Sequence, residues 1–356
     1  MEMIDILKAC VQKGASDLHF VIGQSPMVRQ EGDLKAMTEF PVLSAEESRR
    51  LLYTLLSDAQ KARFEQEWEL DFSVAVDQVS RFRANLLLEK NGVEAVLRVI
   101  SNKIPSPDEL ALPPAVIELS NLPRGLVLVT GPTGSGKSTT LACLVNQINL
   151  KRRSHILTIE DPIEFVYENK NSVVRQREIG SQSKTFASAL KHALRQDPDV
   201  VLIGEMRDLE TISAALTMAE TGHLVFATLH TTDAAQTVDR IIDVFPAYQQ
   251  QQVRTQLSSV LKAVVCQTLV PRLNAKGRVA AREVMMVTPA ISNLIREGKN
   301  HQIFGAIETG SRVGMISLDK ALQDLVKRGI ISAEEAAAKA THPELFRGGT
   351  PLNAAA

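Results

Sequence analysis

The chain has 356 residues, 44% of them hydrophobic and 23% charged, and 40 Lys+Arg against 41 Asp+Glu leave a formal charge of −1. That length allows about two domains of ~100–200 residues each, and the near-neutral charge argues against duplex nucleic acid as a partner. No apolar run approaches the ~18–20 residues of a membrane span, so direct membrane insertion is not expected. The opening "MEMIDILKAC" lacks the basic n-region of a secretory signal. Cys10, Cys143 and Cys266 stand far apart with no CxxC spacing, which fits a reducing cytoplasm and not a zinc module.

Residues 1–100 read as one small α/β domain. Met3, Ile4, Leu7, Cys10 and Val11 fall on one helical stripe, with Gly14 as its stop. The stretch "LSAEESRRLLYTLLSDAQKARFEQE" has a capping-box start from Ser44 to Glu47 and helical periodicity. Three strands follow, "LDFSVAV", "RFRANLLLE" and "EAVLRVI". In the second, Phe82, Ala84 and Leu86 share one face while Arg81, Arg83 and Asn85 share the other. Residues 101–114, with four prolines and no sustained period, read as an interdomain linker.

Beyond the linker, from 115 to 356, the pattern changes. "GLVLVT", "HILTIE", "DVVLIG" and "LVFATLH" are apolar strand candidates with helical segments among the stretches between them. Such alternation predicts βαβ units and a parallel sheet covered on both faces. "AAQTVDRIIDVF" and "QQVRTQLSSVLKAVVCQTLV" both read as helical, and the last ~60 residues as further short helices. The closing "PLNAAA" is left out of the fold reading.

Directly after "GLVLVT" comes "GPTGSGKST", comprising Gly131, Pro132, Thr133, Gly134, Ser135, Gly136, Lys137, Ser138 and Thr139. It satisfies G-x-x-x-x-G-K-[ST] between a strand and a helix, the context a phosphate-binding loop requires. Its glycines let successive N–H groups turn toward phosphate oxygens. Lys137 is expected to reach the β/γ-phosphates and the Ser138 hydroxyl to ligate Mg²⁺, with the following helix adding its N-terminal dipole. Hydrolysis also needs acids and positive charge at the same edge, and three strand ends offer candidates. "HILTIE" leads into Glu160, Asp161 and Glu164, "DVVLIG" into Glu205, and "LVFATLH" into His230.

The stretch "LRQDPDVVLIGEMRD" (194–208) resembles the signature of the type II/IV secretion ATPase superfamily, matching at Leu194, Arg195, Pro198, Asp199, Gly204, Glu205, Arg207 and Asp208. "LTIEDPIEF" (157–165) is similar to that family's Asp box and "TGHLVFATLHT" (221–231) to its His box. Within the superfamily the sequence most resembles the retraction motors of type IV pili, through "GASDLH" (14–19), "AISNLIREGKNHQI" (290–303) and "GMISLDKAL" (314–322). Ser292 departs from the arginine of the retraction element, and the four paired zinc cysteines of the extension ATPases are missing.

The resemblance implies a PAS-like N-terminal domain and a RecA-like P-loop ATPase domain with a helical C-terminal extension. It further implies a homohexameric, Mg²⁺-dependent ATPase that powers pilus retraction and twitching motility, with ATP and Mg²⁺ but no zinc. The expected partners are an inner-membrane platform protein at the pilus base and a retraction paralogue, with no nucleic acid. The expected place is cytoplasmic, at the inner face of the cytoplasmic membrane.

Glu164 is expected to orient or deprotonate the attacking water. Glu205 is expected to hold Mg²⁺ through water, though the two glutamates can exchange these roles. Asp161 is expected to support the metal from outside its direct ligands, and Glu160 stays unassigned. His230 is expected to sense the γ-phosphate and His223 to serve an interface. Arg81 and Arg83 are expected to reach nucleotide bound at the packing interface of the ring. Arg195, Arg207, Arg240 and Arg254 are not ranked against one another.

Overall fold

The computed structural model describes residues 1–30, 32–77, 79–100, 103–275 and 277–346. Ser101 and Asn102 of the expected linker, and the tail 351–356, lie outside the described residues. The chain divides into two compact units, Met1–Lys103 with Glu164–Val166, and Ile104–Ile163 with Tyr167–Ala356.

The first unit opens with α1 (Met3–Gln12), which buries Met3, Ile6, Leu7 and Cys10 on one stripe. Gly14 follows its C-cap at φ 64°, where a side chain would be strained. Three short strands come next, β1 (Asp17–Phe20), β2 (Met27–Gln30) and β3 (Asp33–Ala36). At four residues each they are too short to show a period, and the sequence reading has none of them. The helical stretch that follows is two helices, α2 (Ala45–Tyr53) and α3 (Asp58–Glu67). The Ser44 side chain accepts from the Glu47 N–H to start α2. At α3, Ser57 and Gln60 form a full reciprocal capping box, whereas at α2 the bond runs one way, from the Glu47 N–H to Ser44. β4 (Glu69–Val76), β5 (Ser80–Glu89) and β6 (Gly92–Ile100) complete a six-stranded sheet in the order β3-β2-β1-β6-β5-β4. Every pairing in it is antiparallel.

The second unit contains α4 (Pro114–Glu118), β7 (Gly125–Thr130), α5 (Lys137–Lys151), β8 (His155–Glu160), β9 (Val173–Glu178), α6 (Phe186–Ala193), β10 (Val200–Ile203), α7 (Leu209–Glu220), β11 (Leu224–Leu229) and α8 (Ala234–Asp243). It continues with α9 (Ala247–Val260), β12 (Leu261–Pro271), β13 (Arg278–Met286), α10 (Pro289–Arg296), α11 (Ile303–Thr309), α12 (Leu318–Lys327) and α13 (Ala333–Ala337). The sheet order is β13-β12-β7-β11-β10-β8-β9, parallel throughout except for the β12–β13 hairpin. All six residues of β7 and of β11 are buried. At roughly 1.5–3 kcal/mol for each fully buried aliphatic side chain, these strands anchor the unit.

Two expectations fail. Ile4, placed on the apolar stripe of α1, is exposed, and Ile6 takes the buried position instead. "LKAVVCQTLV" is not a continuation of α9 but strand β12, paired with β7 on one side and β13 on the other. Its middle, residues 263–267, is buried on both faces, and a run without polar alternation carries no period to separate helix from strand. The β-branched Val264, Val265, Thr268 and Val270 suit the pleat, and two neighbouring strands settle it.

Candidate nucleotide site

β7, β11, β10 and β8 lie side by side and parallel, so their C-terminal ends share one edge of the sheet. The residues that follow them are the phosphate loop, His230, Gly204–Glu205 and Asp161. Because the strand interiors are filled with core side chains, polar chemistry in these strands is confined to that edge.

The loop conformation depends on its glycines. Gly131, Gly134 and Gly136 have φ values of 140°, 75° and 85°. A Cβ on Gly131 would come within 2.2 Å of the Gln267 carbonyl oxygen, so no other residue fits there. Lys137 is buried and its Nζ donates to the carbonyls of Gly131 and Pro132 at 2.8 and 3.1 Å, which folds the ammonium over the loop. The loop is clasped from β12 by Gln267, a residue the sequence reading does not single out. Its Nε2 donates to the Ser135 carbonyl at 2.7 Å, and its Oε1 accepts from Thr140 Oγ1 at 2.9 Å. The available signal was one amide inside an otherwise apolar run, hidden by reading that run as helix. Thr139 and Thr140 also line a cavity of about 170 Å³, together with Glu109, Arg272, Arg278 and Arg282.

Glu205 follows β10 after a turn that is tightly laced. The Gly204 N–H donates to the Ile159 carbonyl at 2.8 Å, and a Cβ on Gly204 would lie 3.2 Å from Glu160 Cα. Thr228 Oγ1 donates to the Gly204 carbonyl, and Met206 N–H donates to the Thr228 carbonyl at 3.1 Å. The turn delivers the Glu205 carboxylate between a guanidinium and an imidazole. Arg207 Nε is 2.8 Å from one oxygen and His230 Nε2 is 3.5 Å from the other. Of the four unranked arginines, Arg207 is joined to a predicted site residue. Arg254 packs instead on Gly298, where an added Cβ would meet its guanidinium at 3.4 Å.

The other acids separate by role. Glu160 is buried at the end of β8, accepting from Thr158 Oγ1 at 2.6 Å and Gln176 Nε2 at 3.2 Å. Asp161 and Glu164 are exposed on the turn that leaves β8. β9 fixes both ends of that turn. Glu178 Oε2 accepts the Ile163 N–H at 3.0 Å, and Gln176 Oε1 accepts the Tyr167 N–H at 2.9 Å. Asp199 accepts from the His155 N–H and Asp208 caps α7, so two fixed positions of the signature stretch have local structural work. His223 precedes β11 and His230 follows it, which puts them at opposite ends of one strand. The His223 ring is held by the Met218 carbonyl at 2.9 Å.

Arg81 and Arg83 belong to the first unit, on the face of β5 opposite the fully buried Phe82, Ala84 and Leu86. Arg83 lies directly across from Arg98 and lines a shallow cavity with Asp17, Asp71 and Asn85.

For Mg²⁺, Ser138 in the first turn of α5 and Glu205 supply hard oxygen, the donor class this ion takes. Among the described residues no group of three or more His, Cys, Asp and Glu gathers into a metal cage. That donor set suits an ion held largely by phosphate oxygens and water. Among the described residues no helix is long and apolar enough to cross a membrane.

The family described as Type II/IV secretion system protein matches residues 2–339. The type IV pilus retraction ATPase PilT of Pseudomonas aeruginosa is 50% identical over 346 residues, 97% of this chain and 100% of that protein. The type IV pilus ATPase PilU of the same organism is 40% identical over 340 residues, 96% of this chain and 89% of its own. A crystal structure of the pilus retraction motor PilT with bound ADP superposes with a TM-score of 0.91 at 44% identity, covering 97% of this chain and 98% of that one.

Proposed function

This chain belongs to the Type II/IV secretion system protein family, and from that premise we propose how its strand-edge residues convert ATP hydrolysis into pilus retraction. The function is that of a type IV pilus retraction ATPase. The observation that carries the mechanism is the shared edge, where the Lys137 loop and the Glu205–Arg207–His230 cluster follow adjacent parallel strands.

ATP lies with its phosphates on the loop N–H groups, and Lys137 exchanges its two carbonyl contacts for β/γ-phosphate oxygens. The nucleoside end enters the cavity beside Thr139 and Thr140, among Arg272 and Arg278. Ser138 and Glu205 would hold Mg²⁺, which supplies neutralisation of phosphate charge, with Asp161 supporting from outside the direct ligands. Glu164 accepts the proton of the attacking water, on a turn whose ends β9 fixes. His230 reads the γ-phosphate and, held against Glu205, passes its loss to the loop that starts α8. In a homohexamer, Arg81 and Arg83 of one copy add positive charge at a neighbour's nucleotide. The ring works on an inner-membrane platform protein from the cytoplasmic side, with a retraction paralogue as a second partner.

Deletion of the gene tests the direction of the motor. Cells should keep surface pili and lose twitching, and complementation with Lys137→Ala should fail to restore it. Loss of surface pili on deletion would contradict retraction and favour assembly.

A further inference from the structure

Two neighbouring rungs of the β12–β13 hairpin, Cys266–Glu283 and Gln267–Arg282, reach several other parts of the second unit. Gln267 clasps the phosphate loop, as above. Buried Arg282 donates through Nη2 to the Leu110 carbonyl at 3.1 Å and through Nη1 to the Ala111 carbonyl at 3.3 Å. Cys266 is level with Thr130, the last strand residue before the loop. Glu283 is only 4% exposed, and its Oε1 accepts the N–H of Ala234, the first residue of α8, at 2.8 Å. On its other side, Val284 next to it exchanges N–H···O bonds with Ile316 at 2.8 and 3.1 Å, which sets the N–H of Leu318, the first residue of α12, beside the same carboxylate.

A buried carboxylate is costly unless donors meet it. Here the nearby charges make matters worse, because Asp233, the N-cap of α8, and Asp319 on α12 both repel it. Part of the cost is offset by a pair of helix N-termini, each bringing a positive dipole end and an N–H without a partner inside its helix. An apolar side chain would fill the space but would release both helices. The two helices are not equivalent pieces of scaffold. α8 begins four residues after His230, and Thr231 Oγ1 is hydrogen-bonded to Thr237 Oγ1 at 2.6 Å, which ties the His230 segment to the first turns of the helix. α12 belongs to "GMISLDKAL", near the C-terminal end of the unit and far from His230 in sequence.

We propose that Glu283 is a positioning residue for hydrolysis, whose carboxylate holds the first turns of α8 and α12 together. His230 then cannot shift at the nucleotide edge without shifting the C-terminal helices. This rests on the reading of His230 as the residue that faces the γ-phosphate.

The test uses the full chain as wild type, Glu283→Gln and Glu283→Asp, followed by hydrogen exchange and steady-state turnover. In Glu283→Gln, peptides covering 231–237 and 315–321 should both exchange faster, by about tenfold, as loss of a helix cap predicts. The kcat should fall about tenfold while KM for ATP changes less than about twofold. Glu283→Asp keeps both acceptor oxygens and should recover part of each change. Faster exchange at one helix only, at neither, or at both with unaltered kcat overturns the proposal. Should the variants fail to fold, wild type with a non-hydrolysable ATP analogue reads the same link. Exchange must then slow at both helix starts in parallel, and slowing at α8 alone overturns it. His230→Ala with normal turnover would remove the premise about His230 while leaving the joint loosening in Glu283→Gln in place.

Discussion

The two sheets of this chain use their strands differently. In the first unit, β5 alternates, with Phe82, Ala84 and Leu86 buried and Arg81, Arg83 and Asn85 on the opposite face. In the second unit, β7 and β11 bury every residue. A strand that is half wet presents polar side chains along its length, as the cavity lined by Asp17, Asp71, Arg83 and Arg98 illustrates. A strand that is dry on both faces can carry it only past its last residue. That is where Lys137, Glu205 and His230 stand, and a buried polar group has to be matched by a specific partner, as Gln267 and Glu283 are.

The largest test of this contrast is a pair of truncations. Phe226→Ala, in the middle of β11, should cost roughly 3–5 kcal/mol of stability through the cavity it leaves. Arg83→Ala, on the wet face of β5, should stay within about 0.5 kcal/mol. Denaturant unfolding of each variant measures both, and equal losses would erase the distinction.

A second test uses pH. Burial first of all, with the charges of Asp233 and Asp319, pushes the Glu283 carboxyl from 4.5 up to about 7, against the opposing hydrogen bonds from Ala234 and Leu318. The folded chain thus keeps a proton that the unfolded chain releases between those two values. Stability should therefore fall as pH rises through that window, by up to roughly 3 kcal/mol at one such site. Glu283→Gln should flatten this part of the profile, read as the wild-type minus variant difference in unfolding free energy. An unchanged slope would show that Glu283 does not titrate there.

The smallest expected effect sharpens the role of a buried polar group. Gln267→Ala leaves the Ser135 carbonyl and the Thr140 hydroxyl without their partner, a loss of about 1–3 kcal/mol. Because those groups shape the loop, KM for ATP should rise about tenfold. A rise in unfolding rate with unchanged KM would make Gln267 a packing residue only.

Much of this is legible in the residue order, and unevenly so. The loop from Gly131 to Thr139 and the burial alternation of β5 follow from residue order, because local backbone and period-two sterics set them. Glu205, Arg207 and His230 lie near strand ends that the apolar runs mark, but their mutual distances depend on sheet order, which no local pattern encodes. β12 was misread because a strand covered on both faces shows no alternation. With it went Gln267, Glu283 and the hairpin that holds them. Glu178, which fixes the turn before Glu164, reaches the Ile163 N–H across fifteen positions and leaves no sequence pattern.

The central claim is that an acid just past a dry strand does the proton work. Mg²⁺-dependent ATP turnover of Glu164→Gln, measured beside its affinity for ATP, addresses it most directly. The account predicts that turnover falls by about 10²–10⁴-fold with nucleotide affinity retained, the scale of a lost general base. Normal turnover in Glu164→Gln would contradict it and leave Glu205 as the base.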